Sequence, residues 1–576
     1  MTPTTTTSTS PALTHPHSTI LKSFFIWKLL LLTIAIGSTL VNDRAYDTSA
    51  DLLLLGHGDD GVGSRNFGKR LLTRFTSWDA IYFVSAAKRD YVYEQEWAFG
   101  TGLVVWVRAL LRALHTLGLP LPPANSPTAL VEATAALVLS NASHLLASLV
   151  LYHLALLLPL SSGSNSHSSP FQAEKLALLT SLLHIFSPAG LFLSAPYAES
   201  SCALFSFLGW WFYARSCLSD SEQDGATTTA VSGKAGRGGS GLTVKGDINL
   251  LLAGLSFGLG TLFRSNGILN GLPFAWEILS ILSGFLISGQ KTPLLRTLTR
   301  LIALGLGGIF VAAGSIVPQT VAWLRYCPSG SLWLFNKFLS TSSGVEAVSG
   351  TSGGSARGYG GSGVGAGVSA DGGLEGLVTQ EEAREWCTAV VPSIYTFVQK
   401  HYWNVGFFRY WTLPNIPLFL LAAPMLAILV KSALDQLSQR PPSPPATATT
   451  ANSDGKSITL TSASGPASSA SDTPSSGFVK SDESTTAHQR MQILIRSAAA
   501  EQVLLSVLAV STYHVQIITR ISSGYPLWYW WLAQQLIGAG GDKNKNKKKL
   551  GKGIVMFMVM YAAIQGVLFT SFLPPA

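Results

Sequence analysis

The sequence predicts an all-α polytopic membrane protein. Hydrophobic residues make up 47% of the 576 positions and charged residues only 12%, and the mean hydropathy is +0.33. Apolar runs long enough to cross about 30 Å of hydrocarbon recur along the chain. A soluble chain carries roughly a quarter charged residues, so that class is excluded. The formal charge of +9 does not point to nucleic acid, because much of it sits in the Lys543–Lys552 run and at segment ends, where basic residues set topology.

Met1–Ile20 is rich in Thr, Ser and Pro and is expected to be a disordered tail. Leu21–Leu40 has Lys22 and Lys28 ahead of an apolar core, as a signal peptide does. No small-residue cleavage site follows it, so it reads as an uncleaved first span over Phe24–Val41. Further spans are expected at Leu130–Leu158, Leu176–Ser194, Tyr197–Ala214, Ile248–Phe263 and Gly267–Ile287, then at Leu301–Leu324, Pro414–Val430, Ile493–Ile518 and Gly553–Phe572. With the shorter aromatic segment Tyr525–Leu536 the total is about 9–11 transmembrane helices. Two breaks, Ser194-Ala-Pro196 and Arg264-Ser-Asn266, would free backbone groups at membrane depth. Such breaks are tolerated only where protein or a cavity covers them, so they are expected to line a site.

Residues 21–576 read as one membrane-embedded domain with Gly/Ser-rich insertions near 161–169, 219–241, 342–373 and 441–484. These runs bury too little apolar surface to offset the entropy of ordering and are expected to be flexible. No internal repeat is visible, which argues against a transporter built from inverted halves. Basic residues at Lys234, Arg237, Lys245, Lys291, Arg296, Arg300, Lys431 and Lys543–Lys552 would share one side, expected to be cytosolic; the loops holding Trp78–Asp79 and Arg325–Trp411 then face the other. Of four cysteines, Cys202 and Cys217 lie in an apolar segment and at its end, and read as spare thiols. Cys327 and Cys387 can pair if both face an oxidising lumen.

Chemistry concentrates after the first span, in Arg74-Phe-Thr-Ser-Trp-Asp-Ala-Ile-Tyr82 and Tyr93-Glu-Gln-Glu-Trp-Ala-Phe99. Carboxylates beside indoles are expensive near a membrane unless they have a task, and a sugar offers hydroxyls to the first and a C–H face to the second. Asp79 can take a proton from an acceptor hydroxyl while Trp78 stacks on a sugar; the plainer alternative is a helix N-cap at Ser77 or Asp79 beside an interfacial tryptophan. Glu94, Gln95, Glu96 and Trp97 extend the cluster, or form a solvated acidic turn. Arg264 and Asn266 interrupt an apolar run, where a guanidinium needs an anionic partner such as a phosphate; snorkelling at a helix end is the alternative. His514, Gln516 and Arg520 end a later span before Tyr525-Pro-Leu-Trp-Tyr-Trp-Trp531, which also reads as an aromatic belt with a basic anchor. Glu199 and Gln319 are isolated polar residues in apolar runs and weak signals alone, and Glu174 and Glu501 read as ends or faces of helices. Asp59-Asp60 is a weak match to a metal-binding DxD, so no metal is expected. No Walker loop, HExxH, GxSxG or dinucleotide glycine motif occurs in its proper context, and no cofactor is expected. The sequon Asn141-Ala-Ser143 lies inside a span and is expected to stay unmodified.

The blocks Ser77-Trp-Asp-Ala-Ile-Tyr82, Glu94-Gln-Glu-Trp-Ala-Phe99, Phe186-Ser-Pro-Ala-Gly190, Ser194-Ala-Pro-Tyr-Ala-Glu-Ser200, Phe263-Arg-Ser-Asn-Gly267, Tyr402-Trp-Asn-Val-Gly-Phe407 and His514-Val-Gln516 occur in order over most of the chain. Together they resemble the second mannosyltransferases of glycosylphosphatidylinositol (GPI) anchor assembly. The resemblance implies a GT-C-type bundle with lumenal interfacial helices in the endoplasmic reticulum membrane. It also implies dolichyl-phosphate mannose as the lipid-linked donor, a one-mannose GPI precursor as acceptor and an α1,6 product. An acidic residue of the first lumenal loop, by position Asp79, would be the catalytic base. Trp78, Arg74, Glu94, Glu96, Trp97, Arg264, Asn266, His514, Gln516 and Arg520 are the expected substrate contacts. Members of this kind can work with a small membrane partner subunit. The rivals are a lipid or sugar transporter or flippase, which calls for symmetry and polar groups at mid-span, and a non-catalytic scaffold subunit, which leaves Asp79 dispensable.

Overall fold

The computed structural model describes residues 15–41, 48–55, 67–123, 126–159, 170–229, 244–287, 294–327, 384–387, 389–438, 480–537 and 542–573. Among these there is no β-strand, and eight helical segments are long and apolar enough to cross a membrane. The insertions at 161–169, 342–373 and most of 441–484, together with Asp59-Asp60, lie outside the described residues.

Helix α1 (Pro16–Val41) is the first span and begins within the stretch expected to be disordered. Short helices α2 (Ser49–Leu55), α3 (Phe67–Phe75) and α4 (Ala80–Arg89) follow, then a 3₁₀ turn over Glu94–Phe99 and α5 (Gly102–Thr116). The apolar residues of α4, Ala80, Phe83, Val84 and Ala87, fall on one stripe and are buried, as expected of a helix lying along an interface. The bundle continues with α6 (Leu130–Leu157), α7 (Pro170–Ile185), α8 (Glu199–Thr229), α9 (Val244–Phe263), α10 (Leu272–Ile287) and α11 (Leu294–Tyr326). Helix α12 (Ile394–His401) lies before α13 (Ile416–Leu437), α14 (Lys480–Ser511), α15 (Ile518–Ile521), α16 (Pro526–Ile537) and α17 (Asp542–Thr570).

Helix α8 is central and packs on α6 and α9. Helices α9 and α11 approach through small residues: a methyl group added at Gly254 would run into the backbone of Gly307, and one at Gly314 into the carbonyl of Gly258. Lipid is as apolar as leucine, so close backbone approach rather than water exclusion holds such a pair together.

Several spans differ from expectation. The segment expected at Leu176–Ser194 is α7 plus a separate 3₁₀ turn over Gly190–Leu193, because Pro188 cannot continue the helix. Gly267–Ile287 opens with a 3₁₀ turn over Ser265–Gly271, and Ile493–Ile518 ends at Ser511. Helix α8 continues through Thr229, into the region read as an insertion. Trp528, Tyr529, Trp530 and Trp531 are all buried; they are core residues rather than an aromatic belt. Glu501 is buried, with neither carboxyl oxygen hydrogen-bonded to a described residue, so it is not a solvated helix face. Asn141 donates to the carbonyls of Leu137 and Ser194, which ties α6 to the first break. Cys327 and Cys387 form a disulfide with Cα atoms 5.6 Å apart, while Cys202 and Cys217 are buried thiols.

Candidate active site

Helix ends converge on a cavity of about 960 Å³ whose walls include Trp78, Asp79, Tyr197, Arg264, Trp403, His514 and Arg520. Both predicted breaks reach it: Tyr197 follows the first, and Arg264 and Ser265 form the second. The backbone at Trp78 has φ +60°, a left-handed conformation that costs a bulky residue of order 1–2 kcal/mol. It is held there as Trp78 stacks on Phe572, ring centroids 5.1 Å apart, just beyond the end of α17.

Asp79 occupies the N-cap position of α4, yet its side chain makes no capping bond. The N-cap alternative therefore fails. Its Oδ2 instead accepts from Nη1 and Nη2 of Arg520, both at 3.1 Å. The other edge of Arg520 points at Glu199, whose Oε1 accepts from Nε at 2.9 Å and lies 2.8 Å from Nη2. That same Oε1 accepts from Nη1 of Arg264 at 2.9 Å. Two carboxylates and two guanidinium groups thus form one chain, Asp79–Arg520–Glu199–Arg264, with formal charges that cancel. Burial alone would favour the neutral form of Arg520, but Glu199 and Asp79 outweigh it and hold the guanidinium protonated beyond its ordinary range. Arg520 also lies over the rings of Phe192 and Tyr197, 4.4 and 4.9 Å from their centroids.

Burial pushes the His514 imidazole below its ordinary pKa, and Asp79 only partly opposes this; the ring is neutral at neutral pH. Gln516 accepts from the hydroxyl of Tyr410 at 3.2 Å. Tyr82 stacks on Phe99, centroids 4.6 Å apart, and Phe99 meets Trp403 edge-on at 5.4 Å. With Trp78, these give the cavity several aromatic faces of the kind that pack on sugar C–H surfaces.

Other expected contacts are engaged elsewhere. Glu96 lines the cavity but is 2% exposed. It is fully occupied by Arg89 and by the backbone N–H groups of Val92 and Tyr93 at 2.8 and 3.2 Å. Glu94 accepts from Arg384 and from the indole of Trp386 at 2.8 and 3.2 Å. The acidic turn is neither solvated nor free for a ligand; it fastens the loop around the disulfide. Trp97 packs on Tyr91 with centroids 4.4 Å apart, though it touches the cavity. Asn266 donates to the hydroxyl of Tyr525 at 3.2 Å and Arg74 is buried at the end of α3; neither is among the residues lining the cavity.

Sequence reasoning underrated Glu199, which is buried at the centre of the ion-pair chain. It passed over Tyr395 and Gln399, and quoted Trp403 only within the block Tyr402–Phe407 without a role; α12 and the residues after it bring all three to the wall. A carboxylate directly after a proline break in an apolar run was the available signal for Glu199.

A helical bundle that gathers a carboxylate, two guanidinium groups and aromatic faces at one end of its membrane spans has the parts of a sugar transferase. A family model described as mannosyltransferase (PIG-V) matches residues 20–576, and the chain belongs to that family. Among curated relatives, a protein named GPI mannosyltransferase 2 from Chaetomium globosum is 46% identical over 98% of this chain and 97% of its own length. Its namesake from Gibberella zeae is 36% identical over 97% and 98%, and that from Aspergillus fumigatus 34% over 96% and 92%. Among solved structures, an Archaeoglobus fulgidus oligosaccharyltransferase in the apo form aligns with 96% of this chain and 56% of its own, at 11% identity and a TM-score of 0.36.

Proposed function

We propose that this protein transfers the second mannose, in α1,6 linkage, from dolichyl-phosphate mannose to the one-mannose GPI precursor at the lumenal face of the endoplasmic reticulum. The carrying observation is the Asp79–Arg520–Glu199–Arg264 chain at the cavity wall. The names of the relatives support the GPI pathway, and the resemblance carried by the motifs quoted above implies the donor, acceptor and linkage. Topology supports the lumenal assignment. Phe572, just beyond the far end of α17, stacks at the cavity, whereas the Lys543–Lys552 run lies at the near end, about 40 Å away at 1.5 Å per residue. Lys245 and Arg296 likewise begin helices whose other ends reach the cavity side. Basic ends favour the cytosol, which supports a cavity on the other side, where a disulfide is stable.

In this reading Asp79 accepts the proton of the acceptor hydroxyl as its oxygen attacks C1 of the donor mannose. The bond from C1 to the phosphate oxygen breaks with inversion, and dolichyl phosphate leaves with the bonding pair. Arg264 and Arg520 take up the charge that grows on the phosphate, where preorganised donors act most strongly. His514, Gln516 and the aromatic faces hold the two sugars. The lipid tails stay in the bilayer, and a small membrane subunit is a further partner of this reading.

The test is precursor analysis after depletion. The one-mannose precursor should accumulate and be converted when the wild-type chain is restored. Accumulation of a different precursor would sink the assignment.

A further inference from the structure

We infer that Glu199 is the positioning residue of this site: its buried Oε1 sets the angle at which both guanidinium groups meet an anionic phosphate, and so lets Arg520 trade Asp79 for that phosphate. This rests on the mannosyl-transfer reading above. Three N–H groups from two arginines converge on Oε1 of Glu199. Those arginines lie 65 and 321 residues away in sequence, so no local secondary structure holds them in register. The Glu199 side chain is 0% exposed, whereas Asp79 at the other end of the chain is 34% exposed. The inner partner of Arg520 is therefore fixed and the outer one faces the cavity.

The four formal charges cancel without a ligand. A phosphodiester arriving at the exposed edge of Arg520 competes with Asp79 for the same Nη1 and Nη2 groups. Because Glu199 keeps Nε and Nη2 engaged, the guanidinium stays in place during the exchange. Asp79 is then released from its ion pair at the moment the donor is seated, and becomes available to the acceptor hydroxyl. Free aspartate without donor would be a base with no electrophile; the pairing couples the two events. Arg264 is bound to Glu199 through Nη1 and lines the cavity, so its presentation also depends on Glu199.

The experiment uses the full-length chain in native membranes, a short-chain polyprenyl-phosphate mannose as donor and a one-mannose glycolipid as acceptor. Glu199→Gln keeps the size of the side chain and removes its charge. It should raise the donor KM and lower kcat by about 10²-fold, the cost of a misplaced reacting group, with the acceptor KM unchanged. Glu199→Asp keeps the charge but withdraws it by one methylene, and should recover most of kcat while the donor KM stays raised. Combining Glu199→Gln with Arg520→Lys should be no slower than Arg520→Lys alone, since one arrangement has been broken twice. A purely architectural glutamate would lower the amount of active protein, leave the donor KM at its wild-type value and multiply with Arg520→Lys; that pattern overturns the inference. If Glu199→Gln does not accumulate, the donor KM of Glu199→Asp decides, and a wild-type value is the negative result. Wild-type kinetics in both Glu199 variants, with Asp79→Asn inactive, overturns this inference alone. Full transfer by Asp79→Asn instead removes the catalytic reading on which it rests.

Discussion

At the scale of single residues, Asp79 and Glu96 show how two similar carboxylates in one loop take different tasks. Asp79 ignores the helix it could cap and faces the cavity through its pair with Arg520. Glu96 spends its oxygens on Arg89 and two backbone N–H groups. Asp79→Asn is therefore expected to lose about 10²–10⁴-fold in transfer rate at normal abundance, as removal of a general base does. Glu96→Gln should instead cost about 1–3 kcal/mol of stability by weakening a buried charged hydrogen-bond network, and active molecules should still transfer mannose. Thermal unfolding and initial rates on the same preparations separate the two, and a catalytically dead, well-folded Glu96→Gln would reverse the roles. Arg264→Lys should impair transfer although charge is kept, because a planar fork that serves Glu199 and a phosphate together has no ammonium equivalent. Normal rates in that variant would return Arg264 to a snorkelling anchor. Asp79 and Trp78 were legible in sequence because polar side chains stand out against apolar surroundings. The Glu199 anchor was not, because its meaning lies in partners that only the fold brings near.

The helices themselves were legible where apolar runs are long, as for α6, α9 and α11, whose expected positions differ from the observed ones only at their ends. Legibility failed where short helices and 3₁₀ turns share one run. The break at Arg264-Ser-Asn266 marked the Ser265–Gly271 turn, whereas the Gly190–Leu193 turn was hidden inside the apolar run expected to span at Leu176–Ser194; periodicity cannot say how the chain resumes after a break. Those same irregular pieces carry the site, since only the ends of helices expose backbone and side chains to one cavity. The α9–α11 contact lies in the helix that Arg264 directly follows. Gly314→Leu should force these helices apart, because the carbonyl of Gly258 occupies the space a side chain needs. Lower abundance together with a raised donor KM is expected in transfer assays. Unchanged abundance and kinetics would show that the helices can separate without disturbing the site.

For the molecule as a whole, the distribution of basic residues predicts that the cavity and the Lys543–Lys552 run lie on opposite sides of the membrane. Phe572 just beyond one end of α17 reaches Trp78 and the lysine run sits at the other end. Glycosylation tags inserted at Gly63 and beside Asn544 should be modified only at Gly63. Modification of both, or of the second alone, would contradict the topology. What composition could not foretell is the loop that returns over the cavity. Helix α12 packs against the Glu94–Phe99 turn, and the bond between Cys327 and Cys387 ties the approach to that helix to the end of α11, across a sequence separation of 60.

That bond ties the completion of one cavity wall to the electron balance of its surroundings. The wall bearing Tyr395, Gln399 and Trp403 follows Cys387 closely in sequence, and the loss of two electrons from two thiols adds a covalent tie to the hydrogen bond by which Gln319 accepts from the Tyr395 N–H. A chain with both thiols reduced would keep Asp79, Arg264 and Arg520 in their ion-pair chain and hold this wall by its hydrogen bonds and ring contacts alone. Such a tie persists where thiols are not kept reduced.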